Sequence, residues 1–195
     1  MRSITLAYYP DGRQEALLAA GGAAAHVDLM HAMTYDAGGA GGHSPMSLAE
    51  TAIRYAAAAQ LPLGKLTLGL PFYGRHSATG DWTTYEDLVQ RHHPLPAAVD
   101  AVDAPGGGAG AHISFNGRAT IAAKVRLAYR AGWGGVMLWE AGQDCRQVPV
   151  TRGGTTHVRT CPNGRNSSLL SAITSELVAI NAAALRDADA EQDEL

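Results

Sequence analysis

Short apolar runs alternate along the chain with stretches that have helical spacing. Residues 4–9, 26–35, 65–70 and 135–140 are mostly apolar and are bounded by Gly, Pro or Asp, which predicts four strands. Helices are predicted for residues 13–24, for 48–59 after a capping box of Ser47 and Glu50, for 116–131, and from Ser167 or Ser168 to about 185. Strands that alternate with helices indicate a parallel sheet, either doubly wound or closed into a barrel.

The second predicted strand, 26–35, is apolar on both faces, which is typical of a parallel strand covered on both sides. The first strand is not followed by a GxGxxG motif, which argues against a dinucleotide-binding fold. Residues 71–116 form a long connection that we predict to be irregular, apart from one short helix near 84–91. Connections of this length are usually functional or disordered.

Composition narrows the function classes. The chain has 195 residues, 46% hydrophobic and 17% charged, with a formal net charge of -3. These values are typical of a soluble globular protein and give no reason to expect nucleic acid or an anionic membrane as partner. We expect no membrane partner, because no apolar run approaches the roughly 18 residues that a span needs. The N-terminus lacks the pattern of a signal peptide.

The two cysteines and the eight histidines suggest no metal site. Cys145 and Cys161 match no zinc-binding spacing, and the histidines are scattered without second ligands. We therefore expect neither a metal nor another cofactor. A Cys145–Cys161 disulfide is the preferred interpretation if the parent protein is secreted, and two unpaired buried thiols are the alternative.

Three segments at the ends of predicted strands bear a family resemblance. They are Met33-Thr34-Tyr35-Asp36, Leu70-Pro71-Phe72-Tyr73-Gly74-Arg75 and Gly134-Gly135-Val136-Met137-Leu138-Trp139-Glu140. In this order they resemble the last three barrel strands of glycoside hydrolase family 18, the chitinases and their relatives, and residues 4–10 resemble the fifth strand. The resemblance implies an α/β fold: the C-terminal half of a TIM (β/α)₈ barrel over residues 1–185. Residues 186–195 are predicted from their composition to be an acidic tail.

The resemblance also implies roles at the C-terminal ends of these strands, where the active site of such barrels lies. Tyr35 would donate its hydroxyl to the N-acetyl oxygen of the sugar at the cleavage point, and the other residues would bind substrate: Met33, Asp36, Tyr73, Arg75, Trp139 and Glu140. Trp139 would form the floor under a pyranose ring. Simpler interpretations stay open, because core packing explains Met33, Tyr35 and Trp139, and Asp36 could cap a turn. Trp82 is more often a loop anchor than a sugar platform.

The family's general acid is missing from this sequence. It lies in a DxxDxDxE pattern, and the nearest match, Asp187, Asp189 and Glu191 in the acidic tail, has Ala184 where the leading Asp should be. The chain alone is therefore expected to be inactive, although the resemblance makes chitin or a chito-oligosaccharide its expected partner. A non-catalytic, lectin-like chitin-binding protein is the alternative. Half a barrel also leaves unpaired strand edges, which could bind a missing N-terminal half or a second copy of the chain. The sequence does not assign a localisation to this chain, and the parent protein is expected to be secreted or in the secretory pathway.

Overall fold

The computed structural model describes residues 3–38, 42–104, 106–146, 148–159 and 161–193. In chain order its strands and helices are β1 (Thr5–Tyr8), α1 (Arg13–Ala20), β2 (Leu29–Ala32), α2 (Met46–Ala58), β3 (Leu66–Pro71), β4 (Tyr73–His76), β5 (Trp82–Thr84), α3 (Tyr85–Arg91), β6 (Ala101–Asp103), β7 (His112–Ser114), α4 (Arg118–Arg130), β8 (Gly135–Trp139), β9 (Val148–Arg152), β10 (Thr155–Arg159) and α5 (Leu169–Asp193).

The central element is a four-stranded parallel sheet in the order β1-β2-β3-β8. Every neighbouring pair is parallel, as the alternation of strands and helices predicts. The register aligns Pro71 with Trp139, so that the C-terminal ends of β3 and β8 lie side by side. This is the α/β architecture of a partial TIM barrel, with its functional ends at one edge of the sheet.

The core is divided into two clusters of buried side chains. One contains Leu70, Phe72, Phe115 and Leu169, and joins the sheet to α3, α4 and α5. The other contains Met30, and joins β2 and β3 to α2. Both therefore lie where the helices cover the sheet.

The connection between β3 and α4 is more ordered than the sequence predicted. A second four-stranded sheet, in the order β5-β4-β7-β6, fills it with antiparallel pairs. The prediction of an irregular segment was wrong because these strands are three or four residues long, too short for apolar alternation to stand out. The short helix α3 was predicted correctly, and its capping residue Thr84 accepts a hydrogen bond from the amide of Asp87.

The end of α1 and the start of α2 differ from the prediction. Helix α1 ends at Ala20 rather than 24, because Gly21-Gly22 interrupts it and Gly22 takes a left-handed conformation. Helix α2 begins at Met46 after Pro45, so Ser47 lies inside the first turn and forms no capping box with Glu50. Pro45 is the extended residue just before the helix, with φ of -71° and ψ of 159°, where its lack of an N–H group costs the helix no hydrogen bond.

The loop after β8 contains a disulfide and an antiparallel hairpin. Cys145 and Cys161 are bonded, with their Cα atoms 5.3 Å apart, and strands β9 and β10 lie between them. Asp144 lies just before Cys145, and its carboxylate accepts hydrogen bonds from the amides of Leu169 and Leu170, which start α5. Ser168 contributes as predicted, because its hydroxyl accepts from the amide of Ser171.

Helix α5 differs from the prediction in two ways. It continues to Asp193, into the segment assigned to an acidic tail, because the alanine, glutamate and glutamine residues there have high helix propensity; residues 194 and 195 lie outside the described part. Leu169–Arg186 is also 18 residues long with a mean hydropathy of 1.3, long and apolar enough to cross a membrane by length and composition alone. The expectation that no stretch approaches this length was wrong. It is weak evidence for a membrane segment, because Glu176 within it forms an ion pair with Arg126 of α4.

Candidate functional site

Three neighbouring strands of the parallel sheet, β2, β3 and β8, end beside the second sheet and bring the predicted side chains together. Asp36 follows β2, and Tyr73 and Arg75 lie in β4 just beyond β3. Trp139 ends β8, its carbonyl accepts a hydrogen bond of 2.8 Å from the amide of Phe72, and its peptide bond to Glu140 is cis. The parallel register therefore places residues from three distant segments at one edge.

Asp36 is the centre of a hydrogen-bonded cluster. Its Oδ1 accepts a bond of 2.8 Å from the Tyr73 hydroxyl and another of 2.8 Å from Nε of Arg75. Burial acts to raise the pKa of Asp36, but the bonds from Arg75 and Tyr73 outweigh it and hold the pKa below its usual value. Asp36 is therefore ionised at neutral pH, and Arg75 is fixed further by a bond from Nη1 to the carbonyl of Gly80.

His43 supports this cluster from the buried side. Its Nε2 lies 3.1 Å from the carbonyl oxygen of Tyr73, and its ring packs against the Tyr73 ring at a centroid distance of 4.9 Å. Because a carbonyl only accepts, the proton belongs on Nε2, and Nδ1 is left as a buried atom without a partner among the described residues, 3.7 Å from Oδ1 of Asp36. Burial lowers the pKa of His43 to about 4, so the ring is neutral at pH 7.

A recess of about 320 Å³ lies in front of the cluster. It is lined by Asp36, Tyr73, Arg75, Trp82, Trp139, Glu140 and Gln143. Trp139 and Trp82 are 54% and 57% exposed, far more than residues that anchor a core or a loop. Exposed indole faces beside a carboxylate, a guanidinium and an amide are the groups that hold the apolar faces and hydroxyls of sugars.

Tyr35 and Met33 lie behind this recess rather than in its lining. Tyr35 is buried and packs edge to face against Tyr73, with ring centroids 6.2 Å apart. Burial, with a smaller effect of the Asp36 charge, raises the pKa of Tyr35 to about 12. Its hydroxyl therefore keeps its proton at neutral pH. Met33 is half-buried, and its backbone amide bonds to the carbonyl of Tyr8 at the end of β1.

Three residues of the site were missed or set aside by the sequence analysis. His43 and Gln143 belong to loops that bear no family motif and have no apolar periodicity, so nothing in the sequence singled them out. Trp82 was set aside as a loop anchor, although it pairs with Arg75 across β4 and β5. The amide oxygen of Gln143 is buried without a partner among the described residues, which leaves an acceptor at the recess.

The chain belongs to glycosyl hydrolases family 18, whose model matches residues 2–144. The GH18 chitinase ChiB from the chitin utilization locus of Flavobacterium johnsoniae shares 26% sequence identity at a TM-score of 0.63, over 90% of this chain and 50% of that one. A chitinase from Bacteroides thetaiotaomicron shares 21% identity at a TM-score of 0.62, over 89% and 51%. A chitinase from Cycas revoluta in complex with allosamidin shares 18% identity at a TM-score of 0.53, over 71% and 51%.

The chain spans about half the length of these three solved chitinases. No curated protein matches it in sequence. The family and the partial TIM barrel are thus confirmed, and the roles of single residues stay predictions.

Proposed function

We propose that this chain forms the sugar-binding part of a cleft that binds chains of β-1,4-linked N-acetylglucosamine. The observation that supports the proposal is the recess itself, where two exposed indoles flank the bonded group of Asp36, Tyr73 and Arg75. An indole covers the C–H face of a pyranose, while charged and amide groups around it bind hydroxyls. The allosamidin complex of the Cycas revoluta chitinase is consistent with a carbohydrate ligand in this fold.

In this proposal each residue has a distinct task. Trp139 is the floor under the sugar ring, and Asp36 accepts a hydrogen bond from a sugar hydroxyl. Tyr73 and Arg75 orient Asp36 and bind the sugar on the leaving-group side of the cleavage point. Tyr35, protonated at neutral pH because its pKa is raised to about 12, donates to the N-acetyl oxygen as the ring approaches. Such a bond stabilises the N-acetyl group when it attacks the anomeric carbon in substrate-assisted hydrolysis.

The proposed activity of the parent protein is chitin hydrolysis, but this chain alone is expected not to hydrolyse chitin. The sequence contains no DxxDxDxE pattern. In substrate-assisted cleavage the N-acetyl group of the sugar is the nucleophile, so there is no second catalytic carboxylate that could replace the acid. The same observation favours a second candidate, a lectin-like protein of this fold that holds the sugar without cutting it. A glutamate at the end of the fourth barrel strand of the parent protein separates the two candidates.

Binding is tested by calorimetric titration of chitohexaose into the purified chain and its variants. Trp139→Ala and Trp82→Ala should each weaken binding about tenfold, because each removes one stacking surface. Tyr129→Ala is the matched control, since Tyr129 is 53% exposed but lies on α4, outside the recess. Equal affinity of all three variants and the wild-type chain for chitohexaose would refute the assignment of the recess as the sugar-binding site.

Catalysis is tested separately by following the release of N-acetylglucosamine units from the same oligosaccharide. We expect none from the chain alone, because no general acid protonates the glycosidic oxygen. Turnover by the purified chain would contradict the absence of an acid. Loss of that turnover in Tyr35→Phe would assign it to this site. Binding without turnover is the result that fits the proposal.

A further inference from the structure

A lysine is buried inside the core behind the recess. Lys124 lies in the middle of α4 and is 0% exposed. Its Nζ donates to the carbonyl oxygen of Ser44 at 2.8 Å, to the Ser44 hydroxyl at 2.6 Å and to Oδ1 of Asn116 at 2.7 Å. These three acceptors match the three N–H groups of an ammonium.

This lysine is not held by an ion pair within the part of the chain that the structure describes. Burial lowers the pKa of Lys124 to about 7, and only the more distant charge of Asp100 acts in the opposite direction. Burying an amine costs stability unless its hydrogen bonds are satisfied. Hydrophobic packing therefore does not explain a lysine here, whereas its bonds to Ser44 do.

Ser44 and its neighbour His43 are bonded to both sides of the Tyr35–Asp36 pair. The Ser44 hydroxyl donates to the carbonyl of Thr34 at 2.6 Å, immediately before the pair. The carbonyl of His43 accepts from the amide of Ala37 at 2.9 Å, immediately after the pair. The segment 43–44 thus fixes the backbone on which the two side chains stand.

The side-chain amide of Asn116 also holds Ser44 in place. Asn116 donates from Nδ2 to the Ser44 carbonyl at 2.9 Å while its Oδ1 accepts from Lys124. Ser44 is therefore held by two side chains, one on α4 and one just before it. Of the two, Lys124 alone reaches both the carbonyl and the hydroxyl of Ser44.

We propose that Lys124 is a positioning residue for the Tyr35–Asp36 pair, and that it acts through Ser44. This inference rests on the proposed function for its consequence in sugar binding, but not for the positioning itself. Lys124 does not line the recess and is given no contact with the sugar. Its amine fixes Ser44, and Ser44 and His43 fix the backbone before and after the pair.

The positioning is tested by nitrogen NMR of the His43 ring in the wild-type chain and in Lys124→Met. Methionine keeps the length and volume of the side chain without its donors. In the wild type the ring should show a single tautomer protonated on Nε2, and in the variant the His43 signals should shift or broaden as the segment loosens. His43→Gln assigns the signals among the eight histidines.

Val125→Ala is the matched control, because Val125 is the next residue of α4 and is equally buried in the core but has no bond to Ser44. It lowers stability and should leave the His43 signals in place. If Lys124→Met does not fold, Ser44→Ala is measured instead, because it removes the hydroxyl that accepts from Lys124 and donates to the Thr34 carbonyl but keeps the Ser44 carbonyl. Unchanged His43 signals in a folded Lys124→Met or Ser44→Ala chain would overturn the proposal.

The consequence for binding is measured on the same variants with chitohexaose. Lys124→Met should weaken affinity about tenfold, as misplaced binding groups do, while Val125→Ala should stay close to the wild type. Asp36→Asn separates the two hypotheses. If it leaves affinity unchanged, the proposed function fails whatever the His43 signals show; if it weakens binding and Lys124→Met does not, the positioning role fails.

Discussion

One carboxylate oxygen of Asp36 accepts both of its hydrogen bonds, and the other accepts none from the described residues. Oδ1 accepts from Tyr73 and Arg75, and the described residues form no bond to Oδ2. Asp36 has a positive φ of 61°, an uncommon backbone conformation for a residue with a side chain. A fixed and ionised carboxylate with a free oxygen is suited to accept a bond from a ligand hydroxyl.

The neutral state of His43 predicts a pH dependence of stability. The pKa of His43 is lowered from 6.5 to about 4, so between these values the unfolded chain takes up a proton that the folded chain does not. Its contribution to stability is thus fully present above pH 6.5 and is lost as the pH falls from 6.5 towards 4. The loss should reach at most about 3 kcal/mol.

Urea unfolding of the wild type and of His43→Gln at several pH values measures this contribution. Glutamine retains an N–H donor for the Tyr73 carbonyl but cannot take up a proton. Carboxyl groups such as Glu15 titrate in both chains, so the difference between the two free energies of unfolding isolates the contribution of His43. This difference should shrink as the pH falls through this range, because only the wild type has the histidine that takes up a proton on unfolding. Parallel curves would show that His43 is not held neutral by the fold.

At the level of elements, the existence and order of the four parallel strands were predictable, although β2 (Leu29–Ala32) is shorter than the predicted 26–35; the loops were not predictable. Buried runs such as residues 65–70 have the length and composition of a covered parallel strand, and β3 lies within one residue of the prediction. Trp139 ends β8 and Asp36 lies shortly after β2, so their convergence at the C-terminal edge of the sheet followed from the fold class. The small antiparallel sheet did not, because its pairing depends on tertiary contacts between short strands.

Close packing between β2 and β3 makes Gly69 irreplaceable. A Cβ at this position would lie 2.5 Å from the carbonyl oxygen of Ala32 and 2.9 Å from Cε1 of Tyr35. Gly69→Ala should therefore push the strands apart, displace Tyr35 and lower the free energy of unfolding by about 1–3 kcal/mol.

Gly64→Ala is the control for that substitution, because nothing lies within 4 Å of a Cβ there. Chemical denaturation measures both variants, and near-UV circular dichroism reports the tyrosine environment. The close approach is contradicted if Gly69→Ala is as stable as Gly64→Ala and has an unchanged tyrosine signal.

At the scale of the whole molecule, the parallel sheet has two ends. Strands β1 and β8 each pair with one neighbour among the described residues, and strands with unpaired edges tend to bind another chain. Strand β8 is also incompletely covered, since each of its residues is only partly buried or exposed, whereas β3 beside it is buried along its whole length. Both surfaces are what half of a closed barrel would present.

We therefore propose that the chain associates with a second copy of itself through these edges. Sedimentation velocity of the purified chain at increasing concentration should show dimers or larger species. Met137→Lys should weaken this association, because it places a charge on edge strand β8 among residues that alternate with the core-packed Val136 and Leu138.

Tyr129→Lys is the control, since it adds the same charge to an exposed position on helix α4, away from the edges. Association should weaken in Met137→Lys and persist in Tyr129→Lys, because only the first places a charge where strands would pair. A chain that stays monomeric at every concentration, or two variants that behave alike, would show that the edges are not the binding surface.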